Sequence, residues 1–154
     1  MIEKLLNANE ETANEIHSLF QKSYKIEGEL LGATDFPPLK RPIKDYIKTR
    51  NEFFGYKKNG ELAGIIEISD QRNYTDIFSL VVDPQFFRQG IATALIGFTI
   101  STFESNLYVV ETGVDNLPAC NLYRKFGFQE VKQWDTKFGI RKVAFELELG
   151  TNSF

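Results

Sequence analysis

Between Tyr74 and Val114 the apolar residues change period twice, from two to a helical spacing and back to two. Tyr74 to Asp83 alternates, Gly90 to Phe103 repeats its apolar residues around a helix, and Leu107 to Val114 alternates again. Strand, helix and strand in this order make a βαβ unit, with a right-handed crossover and parallel strands. The runs before it pair differently. Phe53 to Lys57 and Leu62 to Ser69 flank Asn59-Gly60, the strongest short signal for a hairpin. Tyr74 to Asp83 follows the Asp70-Gln71-Arg72-Asn73 turn, so the three runs form an antiparallel meander. The sheet is therefore mixed, and the fold class is α/β of an α+β-like kind.

The remaining segments fit around that sheet. Ile2 to Leu6 reads as an opening strand. From Glu10 a helix is predicted, with Ala13, Ile16, Phe20 and Tyr24 at helical spacing, Leu19 beside them, and Asn9 as its cap. Gly28 to Pro42 breaks the pattern, because Pro37-Pro38 and Pro42 forbid a regular helix there. A short helix follows from Ile43 to Arg50. In Gly90 to Phe103 the apolar residues cover most of the circumference, which predicts burial on several sides, with Gly97 permitting close packing. A later helix carries Ala119, Leu122, Tyr123 and Phe126 on one stripe; Asn116 can cap it, Pro118 suits its first turn and Gly127 can end it. Two last strands are predicted, Phe128 to Trp134 and Arg141 to Leu149. Residues 1–150 are expected to form one domain, with 151–154 as a loose tail.

Charge and cysteine usage narrow the partners. A net charge of −3 lacks the basic excess that neutralises phosphates, so no nucleic acid is expected. Cys120 is the only cysteine, which precludes an intrachain disulfide and suits a reducing compartment. No apolar run approaches the ~20 residues of a membrane span, and the first residues lack the apolar core of a signal peptide. A cytoplasmic protein without a membrane partner is expected. No His/Cys cluster has metal-ligand spacing, so no metal is expected. The 14 phenylalanines read as core filling.

The chemistry centres on Leu80-Val81-Val82-Asp83-Pro84 followed by Arg88-Gln89-Gly90-Ile91-Ala92-Thr93. A strand runs into a turn that opens a helix, and the first amides of a helix have no internal partners. Together with the helix dipole they make a site for a phosphate or pyrophosphate. Gly90 lets the backbone approach closely, Ala92 keeps the space small, and Arg88 can add positive charge. Neither Gly-x-x-x-x-Gly-Lys-Ser/Thr nor Gly-x-Gly-x-x-Gly is present. By itself the segment also fits an ordinary strand-to-helix turn.

A second segment decides between these readings. Asn116, Ala119, Leu122-Tyr123 and Gly127-Phe128 lie one strand later. With Val82-Asp83-Pro84 and Gly90-Ile91-Ala92 they resemble the paired motifs of the GNAT superfamily of N-acetyltransferases, and the element order agrees from Ile2 to Leu149. The chain departs from the family pattern at Phe87, where Gln or Arg is usual.

The resemblance implies a central mixed sheet of about seven strands, flanked by about four helices, with one splayed parallel pair. It implies acetyl-CoA as co-substrate and an amine as acceptor. Leu80, Val81 and Val82 would offer backbone groups to the pantetheine arm as if it were an added strand. An amide near Val82 would face the oxyanion. Arg88, Gln89, Gly90, Ile91, Ala92 and Thr93 would hold the pyrophosphate, and Asn116 the pantetheine. Tyr123 would protonate the leaving thiolate, and Glu111 would take the amine proton, with Glu67 as a second candidate. The bottom-up alternatives are a core tyrosine, an ion-paired glutamate and a plain helix cap. Asp35, Phe36 and Trp134 would border the acceptor pocket. Dimerisation through the late strands is common in relatives and is a further expectation. The competing function is a non-catalytic acyl-CoA-binding or regulatory module.

Overall fold

Asn59 and Gly60 both adopt left-handed backbone, with φ of 53° and 81°, and close the first hairpin as their residue types demand. That hairpin joins β2 (Glu52–Lys58) to β3 (Glu61–Asp70), and β4 (Thr75–Val82) continues the meander. In this computed structural model, which describes residues 1–150, the sheet has seven strands in the order β1-β2-β3-β4-β5-β7-β6. The remaining strands are β1 (Ile2–Leu5), β5 (Leu107–Gly113), β6 (Gln129–Asp135) and β7 (Arg141–Glu148), with β1 and β6 at the edges. Every neighbouring pair is antiparallel except β4 and β5, which are parallel and joined by α3 (Ile91–Phe103), as the βαβ reading requires. The tail expected at 151–154 lies outside the described residues.

Helices cover both faces. α1 (Glu10–Leu31) and α2 (Ile43–Lys48) bury Ala13, Ile16, Phe20 and Tyr46 against Phe53, Ile65 and Val81. On the other face α3 and α4 (Leu117–Lys125) pack Leu95, Ile96, Cys120 and Tyr123 against Ile66, Ile77, Tyr108 and Phe145. Asn9 caps α1 by accepting from the Thr12 amide at 3.0 Å.

The two faces exchange residues along β4 at a bulge. Glu67 opposes Ser79 and Ile68 opposes Ile77, so Phe78 is the extra residue. Strict alternation would put Ile77 and Val81 on one face. Instead Ile77 joins the core under α3 and α4, and Val81 joins the core under α1 and α2.

Three expectations need correction, all through packing. First, α1 does not stop at Gly28; it runs to Leu31 and ends at Gly32, whose φ of 66° is the left-handed cap. Gly28 lies inside the helix because Phe36 packs onto it: a Cβ there would stand 3.2 Å from Phe36 Cδ2. Pro37–Lys40 forms a 3₁₀ turn rather than open loop. Second, Gly97 mediates no close contact, since a Cβ built on it meets nothing within 4 Å. The same helix buries Ile91, Leu95, Ile96 and Thr99 but exposes Thr93, Ser101 and Thr102, so its burial is one-sided. Third, the phenylalanines are not all core: Phe78 and Phe87 are 55% and 46% exposed.

Candidate active site

Pairing between β4 and β5 covers only Thr75↔Tyr108, Asp76↔Val109 and Ile77↔Val110. Beyond that rung β4 continues to Val82 and β5 to Gly113 without meeting. The β5-facing edge of residues 78–82 therefore has no strand partner, and the gap opens into a cleft of about 550 Å³. Leu80 and Val82 line it. Val81 is 1% exposed within the opposite core and contributes no side chain to the cleft.

The N-terminus of α3 stands at one end. Its N-cap Gly90 has φ 76° and no side chain, so the first amides lack a side-chain acceptor. Space beyond Gly90 is open, because a Cβ there would meet nothing within 4 Å. Arg88 also holds a left-handed φ of 65°, a conformation that costs an L-residue roughly 1–2 kcal/mol and tends to survive at functional turns. An anion here would meet outward amides and the positive end of the helix dipole. Arg88, Gly90, Ile91, Ala92 and Thr93 line the cleft, and so does the exposed ring of Phe87. Gln89 does not; its side chain accepts a hydrogen bond from Lys58 Nζ.

Tyr123 reaches the cleft from α4. It is 4% exposed, with its ring 5.7 Å from that of Phe128 and 5.8 Å from that of Phe145. The core reading and the cleft reading of this residue thus describe one position. Burial, together with Glu27 and Cys120 nearby, pushes the phenol well above its ordinary range, so it keeps its proton. Asn116 accepts from the Ala119 amide at 3.3 Å as cap of α4, and it lines the cleft as well.

Glu111 on β5 is half-exposed and accepts a hydrogen bond from Lys142 Nζ at 3.2 Å. It lines the main cleft and also a second one of about 380 Å³. The two clefts share Tyr24, Ile77, Phe78 and Ser79 besides Glu111, so they form one passage across the parting of the strands. The bulge residue Phe78 forms part of its wall.

The structure adds two carboxylates that the sequence reading passed over. Asp76 opposes Val109 in the parallel register, which puts it on the same face as Glu111, two residues further along β5. Burial, then the charges of Glu111 and Glu67, push the Asp76 carboxyl up to about 6. Glu27, on α1, lines the main cleft beside Asn116 and Tyr123. Burial raises its carboxyl above the ordinary range, partly offset by the Asn116 side chain and the charge of Lys142. A signal for Glu27 was present: it continues the stripe of Phe20 and Tyr24, where a further apolar residue would be expected.

Other residues are placed elsewhere. Glu67 is fully buried and takes both guanidinium nitrogens of Arg41 at 2.8 and 2.9 Å, plus Asn51 Nδ2 at 2.9 Å. Such a carboxylate is a structural anchor and is poorly placed to accept a proton. His17 is half-buried with its ring edge-on to Tyr46, 5.9 Å away. The Cys120 thiol points at the Gly113 and Val114 carbonyls, each 3.8 Å distant. Phe36 packs on Tyr24, while Asp35 pairs with Lys40; neither Asp35 nor Trp134 lines either cleft. Among the described residues no helix is long and apolar enough to cross a membrane.

Comparison with known proteins adds an independent line. A family model described as "Acetyltransferase (GNAT) family" matches residues 12–128. The UPF0157 protein YqkA of Bacillus subtilis (strain 168) is 35% identical over 148 residues, 96% of this chain and 43% of that protein. The N-alpha-acetyltransferase of Sulfurisphaera tokodaii is 38% identical over 112 residues, 70% of this chain and 55% of that protein. The chain thus spans about half the length of the curated relatives it matches. Among solved structures, the ribosomal-protein-S18-alanine N-acetyltransferase from Escherichia coli superposes with a TM-score of 0.77 at 21% identity, covering 99% of this chain and 96% of that one. The PaiA N-acetyltransferase from Thermoplasma acidophilum, in complex with coenzyme A, gives 0.72 at 16% identity, covering 97% and 98%. These two likenesses show a shared fold.

Proposed function

The chain belongs to the acetyltransferase (GNAT) family, and from that membership we propose that it moves an acetyl group from acetyl-CoA to an amine by direct attack within a ternary complex. One observation carries the reading: β4 and β5 part beyond Ile77 and Val110, and the uncapped turn before α3 stands at the end of the gap. Arg88, Gly90, Ile91, Ala92 and Thr93 hold the pyrophosphate, mainly through main-chain amides, with Gln89 contributing backbone only. The free edge formed by Leu80, Val81 and Val82 bonds the pantetheine arm, and Asn116 holds it from the other side. An amide near Val82 receives the oxyanion.

Proton movements follow from the same side chains. A free alkylamine titrates near 10 and must shed a proton before it attacks. Glu111 receives that proton at the parting of the strands, with Asp76 across the passage as a second acceptor. Tyr123 gives its phenolic proton to the departing thiolate. We place the reaction in the cytoplasm, within residues 1–150 acting as one unit, and expect a homodimer through the late strands, whose edge member β6 is largely exposed. Relatives named for N-terminal or alanine acetylation support a protein N-terminus among the acceptor classes.

Thiol release over an amine panel tests the proposal, with Tyr123→Phe and Glu111→Gln alongside. Turnover that falls about 10²-fold in Tyr123→Phe, with acetyl-CoA affinity retained, is the expected result. Tight acetyl-CoA binding without turnover of any amine would favour the second reading, a non-catalytic acyl-CoA-binding module. Phe87 in place of the usual polar residue is the observation behind that alternative.

A further inference from the structure

The main cleft and the second cleft meet at a neck, and the residues common to both include Tyr24 from α1 and Phe78 from the β4 bulge. Both rings are held from behind. Tyr24 packs edge-on against Phe20, 5.5 Å away, and against Phe36, 5.8 Å away. Phe36 is itself seated on Gly28, where a Cβ would stand 3.2 Å from its Cδ2. Phe78 has the Arg41 guanidinium 5.7 Å from its ring centroid. Arg41 is fixed in turn by two hydrogen bonds to the buried Glu67 carboxylate. Neither ring can swing aside without giving up these contacts.

Of the two, Tyr24 is the more tightly set. Phe78 is 55% exposed, whereas Tyr24 is half-buried and has aromatic neighbours on two sides. Burial raises the Tyr24 phenol, an effect that the Ser79 side chain only partly offsets, so the ring stays neutral. A neutral ring braced in this way acts as a steric wall.

On the acetyl-transfer reading the reactants fill the passage from opposite ends. The pantetheine arm takes the main cleft, the amine enters by the second, and the acyl carbon lies at the neck between them. The nitrogen bonds to that carbon as the C–S bond breaks; one proton leaves nitrogen for Glu111 and one reaches sulfur from Tyr123. With one cleft filled by the arm and the other needed by the amine, the tail of a longer acyl group has to displace a ring of the neck. Resting on that reading, we propose that Tyr24, braced by Phe36, limits the donor to a two-carbon acyl group. Gly28 and the 3₁₀ turn that Phe36 leads into then serve selectivity as well as folding, because they seat the brace. A fixed wall of this kind discriminates by single methylenes, since overpacking a rigid site is costly.

The test varies the acyl chain alone and needs no acceptor. Calorimetry reads the Kd of CoA, acetyl-CoA, propionyl-CoA and butyryl-CoA for the wild type, Tyr24→Leu, Tyr24→Phe and Phe36→Leu. The expected result for the wild type is butyryl-CoA bound at least about tenfold more weakly than acetyl-CoA, with propionyl-CoA between them. That ratio should collapse in Tyr24→Leu, persist in Tyr24→Phe, which keeps the ring, and shrink in Phe36→Leu, which loosens the brace while leaving Tyr24 in place. The Kd of CoA itself should hold in all three variants, which separates a widened neck from a damaged fold. Should Tyr24→Leu fail to fold, the wild-type series and Phe36→Leu carry the test. Equal binding of acetyl-CoA and butyryl-CoA by the wild type overturns the inference and leaves acetyl transfer standing. So does an unchanged ratio in Tyr24→Leu, or in Phe36→Leu where that variant stands in for it. Absence of acetyl-CoA binding overturns acetyl transfer itself, and the inference with it.

Discussion

Asp76 binds its proton up to about pH 6, roughly two units above an ordinary aspartate. The folded state therefore binds a proton that the unfolded chain has lost, and stability declines as pH rises from about 4 through 6. Asp76→Asn removes that penalty. The variant is expected to be more stable than the wild type at pH 7, by an amount on the order of 1 kcal/mol after solvent screening, and equal to it near pH 4. Thermal melts at the two pH values check this; a gain present at both would assign the effect to packing. The same titration bears on turnover: a carboxylate that must be charged to take a proton gives kcat/KM an acid limb near pH 6. In Glu111→Gln, where Asp76 is the acceptor that remains, turnover is expected to fall and that limb to move down, because the nearby like charge is gone. Tyr123 behaves differently. Its raised phenol keeps its proton well past neutrality, so a basic limb below pH 9 would argue against it as the proton donor.

At the level of elements, two helical glycines show what an alternating or helical pattern can and cannot tell. The sequence puts Gly28 at the start of the Pro-containing stretch that breaks the helical pattern, and Gly97 inside a helix as a packing residue. The structure reverses the roles, because whether a glycine is needed depends on what lies opposite, and Phe36 lies opposite Gly28 while nothing lies opposite Gly97. Gly97→Ala should therefore stabilise the protein by about 0.5–1 kcal/mol through helix propensity alone, seen as a rise in Tm of ~2–4 °C. Gly64 is the contrasting case. A Cβ there would lie 2.6 Å from Ile91 Cγ2 and 3.3 Å from the Val81 carbonyl, so Gly64→Ala has to push the first turn of α3 away from the sheet. A loss of about 1–3 kcal/mol is expected, with acetyl-CoA affinity falling alongside, since that turn carries the proposed anion site. Calorimetry and denaturation on the one variant test both halves. Element order, the Asn59-Gly60 hairpin and the α4 caps were legible because each has a local cause. The bulge at Phe78 was not, because it is defined by two strands together and leaves no mark on one.

Across the whole molecule, the α3 end of the cleft, the proposed donor end, was legible in the sequence as one contiguous segment, and the proposed acceptor end was not. The donor end is built by a contiguous strand, turn and helix, so its residues stand next to one another in the chain. The proposed acceptor end draws Asp76 from β4, Glu111 from β5 and Lys142 from β7, residues more than sixty positions apart at the extremes. The β5–β7 pairing brings in Lys142, and the register of the parallel pair sets Asp76 on the face of Glu111. That register has one more consequence. Among the described residues, three rungs are the whole strand pairing between a four-stranded half and a three-stranded half of the sheet. If the proposed acyl-CoA lodges in that gap, it is a tie-beam as well as a reactant, and its binding is expected to lengthen the survival of the folded chain against proteases. Hydrogen exchange reads this out: saturating CoA should slow the amides of residues 78–82 and 111–113 more than those of β1 and β2, and uniform slowing would count against a local brace.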